Sequence, residues 1–387
     1  MRIAIIAAEA SGDLLGAGLM QALQQAIPDA RFEGIGGPRM QAIGMQLFEP
    51  MESLSVMGLV EVLRHLPRLL RLRRALRSRW LSDPPDLFIG VDAPDFNLTL
   101  ERHLRSAGVP TVHYVSPTVW AWREGRVAKL RAAADLLLSI FPFEPEFLAR
   151  HGVKAAYVGH TLAADMPMQP DRRAARELLG LAQGVPVLAV LPGSRHSEIE
   201  RLARPFLLTA RDCARQLPGL RVVTPLVNES GGRLWRQQRE LHAPELEVVE
   251  CPQQSRQAMA AADVVLTASG TATFEAMLSK RPMVVGYKLN ALTYAIAKWL
   301  HLVKLEHVAM SNLLTGEALA PEFIQDACEP EQLVPAVMAF FRDPQRVAHI
   351  AQRYRELHAE LALDTDRLAA KAVVQLLRER GVLQGTP

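Results

Sequence analysis

The sequence predicts an α/β protein built from two doubly wound parallel-sheet domains in tandem, followed by helices. Three observations predict it. Short apolar runs alternate with helical patterns over the first 160 or so residues, which is the signature of a parallel sheet with right-handed crossovers. The proline-rich stretch "DMPMQPD" (165–171) breaks that rhythm, and the alternation then restarts. The chain has 387 residues, 49% hydrophobic and 22% charged, more than one domain ordinarily holds. The expected boundaries are 1–165, 166–330 and 331–387.

In order along the chain, "RIAIIAA" (2–8) reads as a strand buried on both faces, with a helix from about Asp13 to Ala26. "DLFIGVD" (86–92), "PTVHYVS" (110–116), "DLLLSIF" (135–141) and "KAAYVGH" (154–160) are the further strands of the first domain. The second domain reads as "PVLAVLPGSR" (186–195), "LRVVTPLV" (220–227), "LEVVECP" (246–252), "DVVLTASG" (263–270) and "PMVVGY" (282–287). From about Glu331 the chain turns helical, ending in a long pattern from roughly Asp366 to Arg380. Two such domains aim the carboxyl ends of their strands at one cleft, where open parallel sheets bind ligands.

Composition excludes several classes. Cys213, Cys251 and Cys328 are odd in number and far apart, so neither a disulfide framework nor a zinc site is expected, and a reducing compartment fits. Glu9 and Asp13 interrupt the N-terminal apolar run too early for a signal peptide, and no stretch reaches the ~18 apolar residues of a membrane span. Net charge is only +3. Its distribution says more: "LVEVLRHLPRLLRLRRALRSRW" (59–80) interleaves seven arginines with leucines, a basic amphipathic helix bent or restarted at Pro67. It reads either as a helix packed on a sheet with a solvated arginine face, or as a helix that settles on an anionic bilayer. In the second reading Val60, Leu63, Leu66, Leu69, Leu70, Arg71 and Arg74 face the membrane. Nucleic acid ranks last, because aliphatic side chains stand where stacking aromatics would be needed.

Two segments share one shape: "AAEASGDLLG" (7–16) and "LTASGTATFE" (266–275) each run from apolar residues through a Ser-Gly turn into a helical pattern. Such a turn brings backbone amides to a ligand at a helix start, where anions are favoured; the alternative is that small residues permit close helix–strand packing. No GxGxxG follows the first strand, which argues against a dehydrogenase. In "LPGSRHSEIE" (191–200), Gly193 and Ser194 make a turn and Arg195 is placed as a bidentate donor to a phosphate or diphosphate, or as one half of a surface salt bridge. The amides of Ser269, Gly270 and Thr271 would meet a second part of that diphosphate. Glu275 would accept both hydroxyls of a ribose, or else be balanced by Lys280 or Arg281. In "GVDAPDFNLTLE" (90–101), Asp95 or Asn97 suits a helix cap, which leaves Asp92 as a carboxylate able to take a proton from an attacking hydroxyl. "HYVSPTVWAWREGR" (113–126) gathers Tyr114, Trp120 and Trp122 to plug the surface or line a pocket, with Arg123 and Arg126 close behind.

At these residues the chain resembles a known family. "EASGD", "GAGL", "GPRM", "VMGLVEVL", "DAPDFN", "HYVSPTVWAW", "GHTLAADM", "LPGSR", "PLVN", "ASGTATFE", "PMVVGYK" and "SNLLTGE" occur in order from about residue 3 to 330. They look like the lipid-A-disaccharide synthases of Gram-negative bacteria, with thinner similarity such as "YRELH" (354–358) beyond. The resemblance implies two Rossmann-like domains of the glycosyltransferase B type. It implies an inverting, metal-independent transferase without cofactor, joining UDP-2,3-diacylglucosamine to 2,3-diacylglucosamine 1-phosphate and releasing UDP. It also implies a cytoplasmic protein held peripherally at the inner face of the inner membrane. Residue by residue, Arg195, Ser269, Gly270, Thr271, Glu275 and Asn312 match the nucleotide-sugar motifs. Asp92 matches the residue favoured as general base, with Glu9 the other candidate, and Glu9, Ser11 and Asp13 match the acceptor-side motif. Ala8 departs from the glycine more usual there. "DTD" (364–366) opens a helical pattern and reads as a cap rather than a metal site. A UDP-sugar 2-epimerase of the same build and a non-catalytic lipid or nucleotide-binding protein are the alternatives. The terminal helices are expected to pack back on the first domain or on a partner chain, as in a homodimer.

Overall fold

A computed structural model describes residues 1–54, 59–117, 127–289 and 309–383, and over 59–65 the backbone alone. The chain divides into two units, Met1–Asp165 with Leu361–Pro387, and Met166–Glu360.

In the first unit β1 (Arg2–Ala7), β2 (Arg31–Gly36), β3 (Gln46–Pro50), β4 (Leu87–Val91), β5 (Thr111–Tyr114), β6 (Leu136–Ser139) and β7 (Ala155–Tyr157) form one sheet. Their order is β3-β2-β1-β4-β5-β6-β7, and every pairing is parallel. The strand β1 is buried on both sides because its alternate side chains serve two cores. Ile3, Ile5 and Ala7 pack with Leu19, Met20 and Leu23 of the helix α1 (Ala10–Ala26), and with Val373 and Leu377 of the terminal helix Thr365–Glu379. Ala4 and Ile6 pack with Leu76 and Trp80 of α3 (Leu59–Ser82) and with Leu100 and Leu104 of α4 (Pro94–Ser106). Between α1 and α3 lies the short helix α2 (Pro38–Ala42).

The strands β2 and β3 were not expected from the sequence. Glu33, Gly34 and Gly36 interrupt the apolar run of β2, and the first two answer to distant partners. Trp80 Nε1 donates to Glu33 Oε1 at 2.7 Å. Gly34 has φ +137°, and a Cβ there would lie 2.2 Å from the Ile5 carbonyl oxygen, so no other residue fits. The helix α3 is continuous through Pro67 rather than restarted at it.

The second unit holds β8 (Val187–Leu191), β9 (Arg221–Thr224), β10 (Val248–Glu250), β11 (Val264–Ala268), β12 (Met283–Tyr287) and β13 (Glu322–Ile324), in the order β10-β9-β8-β11-β12-β13, again all parallel. The edge strand β13, only three residues long, was also not expected. In both sheets the order reverses at one point, between β1 and β4 and between β8 and β11. Helices Pro330–Arg342 and Pro344–Leu361 follow β13, and the terminal helix begins at Thr365 with Asp364 as N-cap, its side chain accepting from the Arg367 amide. "DTD" therefore is a cap. The three cysteines are free and buried; burial raises the Cys213 thiol to about 12 and those of Cys251 and Cys328 to about 11, which makes them poor nucleophiles.

Candidate active site

Ligands of doubly wound sheets bind outside the carboxyl ends of the strands where the order reverses. At that point in the second unit, β8 is followed by Pro192, Gly193, Ser194 and Arg195, and β11 by Ser269 and Gly270. A cavity of about 340 Å³ lies there, and Gly193, Ser194, Arg195, Ser269, Gly270, Thr271 and Glu275 all line it. Of the residues expected to hold a nucleotide sugar, only Asn312 lies elsewhere.

Gly270 is the N-cap of the helix Thr271–Leu278, with φ 128° and ψ −155°, a conformation essentially restricted to glycine. The Thr273 amide turns back to the Gly270 carbonyl at 3.0 Å, while the amides ahead of it precede the helix's own ladder and carry the partial positive charge an anion seeks. Across the cavity, Arg195 is the N-cap residue of the helix His196–Gln216, with no side-chain cap bond of its own; the capping is done by Glu198. Glu198 Oε2 accepts from the amides of Ser194 (3.0 Å) and Arg195 (3.2 Å), while Glu198 Oε1 takes Arg195 Nη1 at 2.8 Å. The surface salt bridge weighed above therefore exists, but the Arg195 side chain is 73% exposed. An exposed pair at this spacing is worth well under ~1 kcal/mol, so an incoming diphosphate can take the guanidinium. The loop binds an anion already, its own Glu198.

Glu275 stands at the cavity wall half-buried, and burial pushes its carboxyl above the usual range, opposed by the positive charge of Arg256. Neither Lys280 nor Arg281 balances it. Lys280 Nζ donates to the carbonyls of Pro167 (3.3 Å) and Leu278 (2.6 Å) and pairs with His358 Nδ1. Arg281 donates to the carbonyls of Met259 (3.3 Å) and Ala260 (2.7 Å).

In the first unit the reversal point carries Glu9, one residue past Ala8 at the end of β1, and Asp92 directly after β4. The register Ala7↔Val91 puts both at one edge of the sheet. Glu9 is exposed and is the N-cap residue of α1. Asp92 is half-buried, and among the described residues no hydrogen bond or ion pair engages its carboxylate. Its backbone is unusual: Asp92 (φ 52°) and Ala93 (φ 44°) are both left-handed. Each non-glycine residue held there costs on the order of 1–3 kcal/mol, a kind of strain that gathers at functional sites.

The structure corrects several expectations for this half. Ser11 and Gly12 lie inside the first turn of α1, not in a turn before it. A Cβ on Gly12 would stand 3.3 Å from Ala7 Cβ and 3.6 Å from Val91 Cγ1, so this glycine serves close helix–strand packing, while Ser11 stays exposed. Asp13 is only 2% exposed, and its carboxylate accepts from the amides of Gly37 (2.9 Å), Arg39 (3.0 Å) and Met40 (3.1 Å). It caps the start of α2 and is not open to an acceptor sugar. Tyr114 is fully buried in the core rather than open to a ligand; burial raises its phenol. Neither Asp95 nor Asn97 caps α4, whose N-cap is Ala93 without a side-chain bond. Asn312 is 1% exposed and staples the end of its own loop, with Nδ2 donating to Ala320 O (2.7 Å) and Glu322 Oε1 (2.8 Å) and Oδ1 accepting from Ala320 N (2.9 Å). Trp120, Trp122, Arg123 and Arg126 lie outside the described residues. Glu198, which lines the same cavity, was missed; an acidic residue three positions past the helix N-cap was the legible signal.

On α3, Leu72 packs against the core and Leu76 and Trp80 are buried in it. Leu66 is 40% exposed, Leu69 and Leu70 are half-buried, and Arg71 and Arg74 are exposed; the side chains of Val60 and Leu63 lie outside the description. Burial and the charges of Arg74 and Arg77 lower the Arg73 guanidinium, a measure of how crowded the positive charge is. Among the described residues no helix is long and apolar enough to cross a membrane, and no three His, Cys, Asp or Glu side chains are grouped to hold a metal.

Two parallel-sheet α/β units, each with polar loops at its strand-order reversal, define the fold class of glycosyltransferase B enzymes. Solved structures share it: a kitacinnamycin glycotransferase (TM-score 0.60, 17% identity, 97% of this chain and 98% of that one), and a UDP-GlcNAc 2-epimerase from Neisseria meningitidis bound to UDP-GlcNAc (TM-score 0.59, 11% identity, 98% and 100%). At those identities the likeness is one of fold alone. The sequence relatives go further. The chain is 53% identical over 380 residues to a lipid-A-disaccharide synthase of Xanthomonas campestris pv. campestris, covering 98% of this chain and 87% of that protein. It is 50% identical to that of Xylella fastidiosa strain M12, covering 98% and 99%. A family model described as lipid-A-disaccharide synthetase matches residues 3–376, and the chain belongs to that family.

Proposed function

We propose that this chain is the hexosyltransferase of lipid A biosynthesis that condenses UDP-2,3-diacylglucosamine with 2,3-diacylglucosamine 1-phosphate, giving the β(1→6) tetraacyl disaccharide 1-phosphate and UDP. Family membership supports the reaction. The observation that carries the assignment of roles is the gathering of seven motif residues around one cavity in the second unit. There Arg195 and the amides of Ser269, Gly270 and Thr271 take the diphosphate, with Gly193 and Ser194 shaping the turn that presents Arg195, and Glu275 takes the ribose.

The acceptor's 6-hydroxyl attacks the donor's anomeric carbon on the face opposite UDP. The C1–O6′ bond forms as the bond from C1 to the phosphate oxygen breaks, UDP departs with that electron pair, and the configuration inverts. Asp92 takes the hydroxyl proton, since among the described residues its carboxylate carries no other partner; Glu9, at the same carboxyl end of the strands, is the second candidate. Arginine and helix amides stabilise the departing diphosphate, so no metal is required. The crowded arginines and exposed Leu66 of α3 support peripheral attachment to an anionic membrane surface from the cytoplasmic side.

The test is UDP release from the donor in mixed micelles with excess EDTA, with and without acceptor, for the wild type and Asp92→Asn. Acceptor-dependent release that survives EDTA and falls ~10²-fold or more in the variant is expected. Acceptor-independent turnover would instead fit an epimerase-like enzyme. Loss of activity in EDTA would return a metal to the mechanism.

A further inference from the structure

Asp92 and Ala93 take left-handed backbone conformations in succession, although neither is glycine. Something must hold them. The Asp92 amide donates to the Tyr114 carbonyl at 2.8 Å, which fixes one side of the bend. The other side is held from α4. Asn97 Nδ2 donates to the Asp92 carbonyl at 2.8 Å, with longer approaches to the carbonyls of Val91 (3.4 Å) and Ile6 (3.5 Å). Three carbonyl oxygens around one nitrogen settle which end of the amide points there.

The amide is in an expensive place. Asn97 is fully buried, and its Oδ1 has no hydrogen-bond partner among the described residues. A half-satisfied buried amide is worse for stability than an apolar side chain of the same size. Room for it is made by Gly90, where a Cβ would stand 2.9 Å from Asn97 Cβ. Packing gives no reason for an asparagine at this position, whereas the bend of Asp92 does.

We propose that Asn97 is a positioning residue for the transfer: its amide holds the Asp92 carbonyl and so locks the left-handed bend that carries the Asp92 carboxylate past the end of β4. The inference rests on the reading of Asp92 as the general base. Asn97 touches neither substrate; it acts through the backbone of Asp92.

The experiment compares wild type, Asp92→Asn, Asn97→Leu, the double variant, and Asn97→Leu combined with Ala93→Gly. It measures kcat and KM for both substrates, UDP affinity, and thermal unfolding. Asn97→Leu is expected to lower kcat by roughly 10- to 100-fold while KM and UDP affinity change less than about threefold. The double variant should be no slower than Asp92→Asn alone, because both changes disable one group. Ala93→Gly should restore part of the kcat lost in Asn97→Leu, since glycine takes the left-handed conformation without the brace. A kcat near wild type in Asn97→Leu, or effects that multiply in the double variant, would overturn the inference and leave Asp92 as base. Normal turnover by Asp92→Asn would overturn the base reading itself, and the inference with it. If the leucine variant does not fold, Asn97→Ala is read by the same criteria.

Discussion

Replacing Asp13 by alanine separates a structural role from a substrate-binding one. The carboxylate is all but closed to solvent and accepts three backbone amides, from Gly37, Arg39 and Met40. Hydrogen bonds to a charged acceptor contribute about 1.5–3 kcal/mol each, and a buried donor left without a partner costs a similar amount. The Arg39 amide is only part-buried, and water entering the vacated volume would recover some of the loss. The expected destabilisation is therefore about 3–5 kcal/mol rather than the sum of three full bonds. For a unit of this size each kcal/mol moves the midpoint by about 2–4 °C, so the first unit should melt roughly 6–20 °C lower. Asp13→Asn keeps one oxygen in place and should lose about half as much. Calorimetry with UDP titration is the assay: the transition of the first unit drops, while UDP affinity measured below it holds. An Asp13→Ala protein that melts like the wild type yet has lost turnover would refute this reasoning and return Asp13 to the acceptor.

Three other perturbations test separate parts of the molecule. A Cβ at Gly90 would lie 2.1 Å from Glu101 Oε1, and that carboxyl is fixed by its buried 2.7 Å bond to His113 Nδ1; Gly90→Ala should cost about 3 kcal/mol in denaturant unfolding, and an unchanged midpoint would show that the pair yields. Burial raises the Glu275 carboxyl, and a ribose needs it ionised as an acceptor; UDP affinity should therefore fall as pH is lowered through that raised value, beginning at a higher pH than an ordinary glutamate would impose. Calorimetric titration across pH checks this, and Glu275→Gln should bind weakly with no such dependence. Arg71 and Arg74 are exposed on α3, and at about 1 kcal/mol per basic residue near an anionic surface the double change to glutamine should weaken sedimentation with anionic vesicles by roughly 30-fold at constant turnover in detergent.

The sequence alone determined the two parallel sheets and the loop residues that gather round one cavity in the second unit. Both rest on local signals: apolar runs of strand length, and Gly-Ser-Arg and Ser-Gly-Thr turns whose chemistry lies within a few residues of the strand they follow. Where the polar groups of the first unit go was decided only by tertiary structure. Asp13 and Glu9 stand four residues apart in one motif, yet one is consumed by α2, 24 to 27 residues further on, and the other is exposed. Nothing local distinguishes them, because a carboxylate's role depends on which backbone amides the fold brings to it. The same holds for Tyr114 and Asn312, which sequence placed at ligands and packing placed in the interior. It holds for β2, whose Glu33 reads as a strand breaker until Trp80 arrives 47 residues later. Alternation is written along the chain, but desolvation and hydrogen-bond satisfaction are properties of the assembled interior.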